Sequence, residues 1–247
     1  MTDTALPMTA RPVASFGRTA ALCAIVAALA LAGFLTRHQG TGAASPSQHP
    51  QQQVGIFVSL IGGQYLMFQF VRATLRGVGL SLGALVSVRP LDRRTLLRDL
   101  VLGVLLLAFW QAIAFGLTRL LGPGDLAAVG RLSLSEAWEV PVWLVVSACA
   151  GVVEELAFRG LLQRQIAYLS GATWIGVVAQ AVLFGAAHLY QGPVLAAQIA
   201  VFGLLFGIVA ALRGSLVPGM VAHGLEDALA AFAAERDLAS HPVHAVH

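Results

Sequence analysis

The chain has 247 residues, 57% of them hydrophobic and only 11% charged, with a formal net charge of +3. A soluble domain averages about 25% charged residues, so this composition excludes an ordinary water-soluble globular protein. So small and dispersed a positive charge also argues against nucleic acid as a partner.

The apolar residues fall in long runs separated by short polar punctuation, the pattern of an integral membrane protein built from helices. All of its basic side chains apart from histidine are arginine. The cysteines, Cys23 and Cys149, both lie in apolar runs and read as small buried hydrophobes rather than a disulfide.

A first apolar run at about 19–36 follows Arg11 and Arg18. Basic residues before it and "TGAAS" after it also suit a cleaved signal peptide, but the run is long for one and is read as a span. Residues 37–53, "RHQGTGAASPSQHPQQQ", form an extramembrane loop. A second run covers about 54–71, followed by Arg72, Arg76, Arg89, Arg93, Arg94 and Arg98, the densest basic stretch. A third span covers about 100–121; the loop 122–139 contains the turn "GPGD" and, in Ser135, a helix cap.

A fourth helix is predicted from Pro141 through "GVVEELAFRGLLQR" to Tyr168, broken by "SGAT" at 170–173. The fifth runs from Trp174 to about Tyr190 and turns at "QGP". The sixth, 194–212, contains Gly203 and Gly207, a spacing that allows close helix packing. After "RGS" at 213–215 the seventh runs over about 216–234. The predicted fold is therefore an all-α, polytopic transmembrane bundle of about seven spans. It divides into a cytoplasmic segment 1–18, N-terminal spans and loops 19–139, a helical core 140–234 and a polar tail 235–247. Arg11, Arg18, the 72–98 cluster, Arg159, Arg164 and Arg213 fall on one side if the spans alternate. By the positive-inside rule that side is the cytoplasm of a plasma or inner membrane, with the N-terminus inside.

The last four helices carry titratable groups that the first three do not match: Glu154, Glu155 and Arg159, then His188, then His223, Glu226 and Asp227. Charge inside a membrane is costly and faces a bundle interior or a watery cavity. Counted from the turn at 170–173, Glu154 and His188 fall at nearly the same height. Counted from Ser215, His223 is shallower, unless the 160–172 connection projects beyond the membrane face. Glu155 and Arg159 stand at i and i+4, as do His223 and Asp227, so each pair shares a helix face. A free carboxylate, two imidazoles and a further carboxylate suit water activation, with or without a divalent metal.

Three motifs in order, Glu154-Glu155-Leu-Ala-Phe-Arg159, Phe184-Gly-Ala-Ala-His188 and His223-Gly-Leu-Glu-Asp227, resemble the CAAX protease and bacteriocin-processing (CPBP, or Abi) family of intramembrane proteases. The resemblance covers about 140–232 and makes that part the catalytic core. It implies that Glu154 activates water and that His188 and His223 orient that water, or bind Zn2+ together with Glu154 as in a metalloprotease. It implies that Glu155 and Arg159 support the site. Asp227 stands where many relatives have asparagine, an oxyanion-hole donor; an ionised aspartate would repel an oxyanion and would suit a metal better. The implied activity is that of an endopeptidase acting on a lipidated or membrane-anchored protein, or on a secreted peptide, from a site open toward the cytoplasm.

Two other functions fit the same residues. Buried Glu, His and Arg can form the relay of a proton-coupled transporter, but no internal repeat or matching pair of broken helices is visible. A noncatalytic scaffold would have no need of Glu154, His188 and His223 together. Gln180 and Gln198 read as interhelical hydrogen-bond partners, Trp110, Trp138 and Trp143 as belt or packing residues, and "HPVHAVH" as a tail.

Overall fold

The computed structural model describes residues 11–38, 50–122, 124, 134 and 136–240. Its helices are α1 (Phe16–His38), α2 (Pro50–Gly77), the short α3 (Leu82–Val86), α4 (Arg93–Leu121), α5 (Glu139–Ser170), α6 (Thr173–Ala187), α7 (Pro193–Arg213) and α8 (Val217–Ser240). Among the described residues there is no strand, only an isolated antiparallel bridge between Ser87 and Ser215. The seven long helices coincide with the seven predicted runs. Four of them, α2, α4, α5 and α7, are long and apolar enough to cross a membrane, and α1 and α6 contain shorter apolar stretches. Ser135, residues 241–247 of the polar tail and most of the 37–53 loop lie outside the described residues; residues 235–240 continue α8.

Helix boundaries follow local chemistry. Ser81 caps α3 by accepting from the Ala84 amide, and Asp92 caps α4 by accepting from the Thr95 amide at 2.7 Å. That amide holds the Asp92 carboxyl below the usual aspartate range. Gly171, at φ 70°, ends α5 in the left-handed conformation that a glycine adopts without strain. Pro193 opens α7, where its missing amide costs nothing. The fifth predicted helix stops earlier than expected, at Ala187, and a 3-10 turn covers Leu189–Gln191.

The predicted fourth helix is one continuous element with a different middle. Residues Glu155–Gln163 form a π-helix between two α-helical segments, and every residue of it is buried. A π-helix widens the backbone and is found mostly at functional sites.

α5 and α8 cross at glycines. A Cβ on Gly151 would stand 2.6 Å from the Gly224 nitrogen, so the two backbones are in contact. The spacing of Gly203 and Gly207 does what it predicted: α7 lies against α6, and the Gly203 carbonyl accepts from Gln180 at 2.7 Å. The Gly207 carbonyl accepts from Gln163 at 2.9 Å. Gln198 is buried too, but its amide nitrogen finds no partner. Cys23 and Cys149 are both free; Cys149 is exposed on the bundle surface, not buried as expected.

The apparent mismatch in depth is resolved at the start of α8. The Leu216 amide donates to Val86, and Gly160 packs against Leu85 and Leu216. α8 therefore begins level with Gly160, and the end of α5 extends past it. His223 is carried down to the level of the glutamates.

Candidate active site

His223 is the hub of the ionisable cluster. It is 4% exposed and stands among three carboxylates. Its Nδ1 lies 3.2 Å from Glu155 Oε1. Its Nε2 lies 3.8 Å from Glu154 Oε2 and 3.7 Å from Asp227 Oδ2. A carboxylate only accepts, so the contact with Glu155 fixes Nδ1 as the protonated nitrogen and turns Nε2 toward Glu154 and Asp227.

Glu155 and Arg159 form a fully buried ion pair, Oε1 to Nη1 at 2.9 Å. The guanidinium also lies 4.3 Å from the Phe184 ring centre and 5.8 Å from those of Phe202 and Phe206. One carboxylate and three aromatic faces thus replace water around a charge that the membrane could not otherwise hold. Arg159 accordingly belongs to the core, not to the basic flank where charge counting placed it. Gly219 makes room for the pair, since a Cβ there would fall 2.7 Å from Glu155 Oε2.

Glu154 has a different partner. Its Oε1 accepts from Gln64 of α2 at 2.9 Å, and its side chain is 22% exposed. It is the accessible carboxylate of the pair.

His188 caps the end of α6, where its Nδ1 donates to the Phe184 carbonyl at 2.8 Å. Among the described residues Nε2 has no partner. The Phe184 ring stands 4.8 Å from the His188 ring and 5.8 Å from that of His223. The phenylalanine four residues before the histidine thus has three tasks: it orients one imidazole through its carbonyl, walls the other with its ring and covers Arg159.

Asp227 is held through its backbone, whose carbonyl accepts from Trp143 at 2.9 Å. Glu226, on the other side of α8, accepts from Trp110 at 3.1 Å and from Gln111 at 2.9 Å. Two tryptophans read as belt or packing residues are therefore hydrogen-bond donors that fix α8. Trp138 keeps a packing role, edge-on to Phe57.

The structure thus brings Glu154, Glu155, Arg159, His223 and Asp227 together, with His188 joined through Phe184. It adds Gln64, which the sequence offered only as one amide in a generic span.

Residues 136–229 match the family model described as Type II CAAX prenyl endopeptidase Rce1-like. This segment is similar to that family of CAAX prenyl endopeptidases. The matched family is one of peptide hydrolases, and the long apolar helices mark an integral membrane protein. The CAAX protease match begins just before α5 and ends within α8, so it contains all three motifs; α1 to α4 lie outside it. The chain has no significant match among curated proteins or solved structures.

Both Nδ1 atoms and Glu154 Oε1 are engaged, which leaves each Nε2 and Glu154 Oε2 as the donors that could face a metal. Among the described residues no three His, Cys, Asp or Glu side chains converge to hold an ion.

Proposed function

We infer that the protein is an intramembrane endopeptidase in which Glu154 activates water against a peptide bond of a membrane-anchored, lipidated or secreted substrate. The observation that carries this reading is the gap between Glu154 Oε2 and His223 Nε2, 3.8 Å. It is too long for a direct hydrogen bond and suits a water held at about 2.8 Å by both groups.

Glu154 takes a proton from the water, and the hydroxide adds to the peptide carbonyl carbon. The tetrahedral oxyanion is met by the Nε2 proton of His223 when that ring, set among three carboxylates, is protonated on both nitrogens; His188, with its proton on Nδ1, presents Nε2 as an acceptor. Glu154 then returns its proton to the leaving nitrogen as the carbon–nitrogen bond breaks. Glu155 and Arg159 hold His223 in position. Asp227, beside Nε2, serves the oxyanion only as the neutral acid, and as a carboxylate it holds His223 instead. The site opens toward the arginine-rich side of the membrane, read as the cytoplasm.

Purified protein in detergent, given a panel of membrane-anchored and prenylated peptides, tests this. We expect Glu154→Gln and His223→Ala each to reduce cleavage by about a hundredfold or more, with no effect of a chelator on the wild type. Cleavage that survives in Glu154→Gln would remove Glu154 as the base. Loss of wild-type activity on chelation, restored by Zn2+, would replace the metal-free scheme.

A further inference from the structure

The bundle holds a second buried arginine whose surroundings differ entirely from those of Arg159. Arg164 is 6% exposed. Its Nη1 donates to the Ala84 carbonyl of α3 at 3.3 Å, and its Nε has no partner. Among the described residues no carboxylate pairs with it. The charge nearest in effect is another cation, the exposed Arg11. Arg11 is placed there by structure: Gln165 Oε1, one residue along from Arg164, accepts from the amides of both Val13 and Ala14 at 3.0 Å. The two acids within the neighbouring basic stretch are committed, Asp99 to Arg213 and Asp92 to the cap of α4.

A buried guanidinium without a counter-charge is expensive, and a second cation acting on it adds to the cost. The missing partner must be an anion from outside the described residues. Arginine forks match phosphate oxygens in pairs. The location fits as well: Arg164, α3, the start of α4 and the end of α7 meet at one end of the bundle, where a membrane presents its headgroups.

We propose that Arg164 and Arg11, with the residue 11–15 segment and α3 as walls, form a binding site for a phosphate group. The anionic headgroup of a phospholipid and free phosphate share this chemistry. Occupancy neutralises Arg164 directly beyond the π-helix and fastens the N-terminal segment to α5.

The test is thermal unfolding of the full-length protein in a phosphate-free detergent, with phosphatidylglycerol or with inorganic phosphate added. Wild type is compared with Arg164→Gln and with Arg11→Gln, whose exposed side chain can be replaced without disturbing the fold. We expect phosphatidylglycerol to raise the wild-type midpoint, the rise to fall by half or more in Arg11→Gln, and to vanish in Arg164→Gln. The same pattern with inorganic phosphate assigns the site to a soluble anion. Equal shifts in wild type and Arg11→Gln, or no shift with either addition, overturn the proposal.

Discussion

Two sets of helices divide the protein. In the most apolar stretches of α2 and α4 only 11% and 17% of residues are buried, whereas in those of α5 and α7 the shares are 50% and 39%. The first set turns apolar side chains such as Leu105, Phe109 and Phe115 outward, where lipid is the natural neighbour. The second is wrapped by other helices; α5 carries Glu154, Glu155 and Arg159, and α7 supplies the Phe202 and Phe206 faces over Arg159. Burial and charge go together here because a charged group in a membrane needs partners on every side. The outer helices still take part, but by single polar contacts: Gln64 to Glu154, Trp110 and Gln111 to Glu226, Asp99 to Arg213. They act as a jacket with a few inward pins.

If that division is right, breaking the inner charge pair should have the largest effect. Arg159→Met leaves Glu155 buried with only His223 for company, and Glu155→Gln leaves Arg159 with aromatic faces and no counter-charge. Each should lower stability by about 3–5 kcal/mol, read as a fall in the unfolding midpoint. The double variant should recover part of that loss in stability and little of the cleavage activity, because His223 would still lack a carboxylate at Nδ1. A double variant no more stable than the singles would mean that the pair is not the unit described here.

One of the outer pins should have a smaller and more selective effect. Gln64→Leu removes the hydrogen bond to Glu154 Oε1. A hydrogen bond to a charged group contributes about 1.5–3 kcal/mol, so kcat should fall by about tenfold or more while KM changes little. Equal loss in kcat and in folding stability would place Gln64 in the scaffold instead.

How much of this was legible in the sequence follows from the range of each interaction. The seven helices were legible because lipid demands long apolar runs. The pairing of Glu155 with Arg159 was legible because i and i+4 is a local rule. The π-helix at 155–163 was not, since a widened turn leaves no periodicity that so short a segment could display. Gln64 was hidden because it acts on a residue 90 positions away, and nothing distinguishes its amide from Gln53 or Gln69. Charge counting also grouped Arg159 with the basic flank, while the pairing rule put it inside the bundle. Three aromatic faces, contributed by α6 and α7, keep it in the core.

The smallest effect belongs to the jacket itself, and the comparison is sharpest when the same change is made on both sides of it. Leu161, in the π-helix, is 2% exposed, and Leu105, on α4, is 58% exposed. Leu161→Ala should cost about 2–5 kcal/mol, because packed neighbours cannot fill the void. Leu105→Ala should stay within about 0.5 kcal/mol, since lipid closes over the missing methyl groups, and cleavage should be unchanged. Unfolding midpoints in detergent and in lipid nanodiscs measure both. A Leu105→Ala variant as unstable as Leu161→Ala would show that this face of α4 is covered by protein in the working assembly. The jacket would then be an interface, and the outward leucines of α4 would mark where it lies.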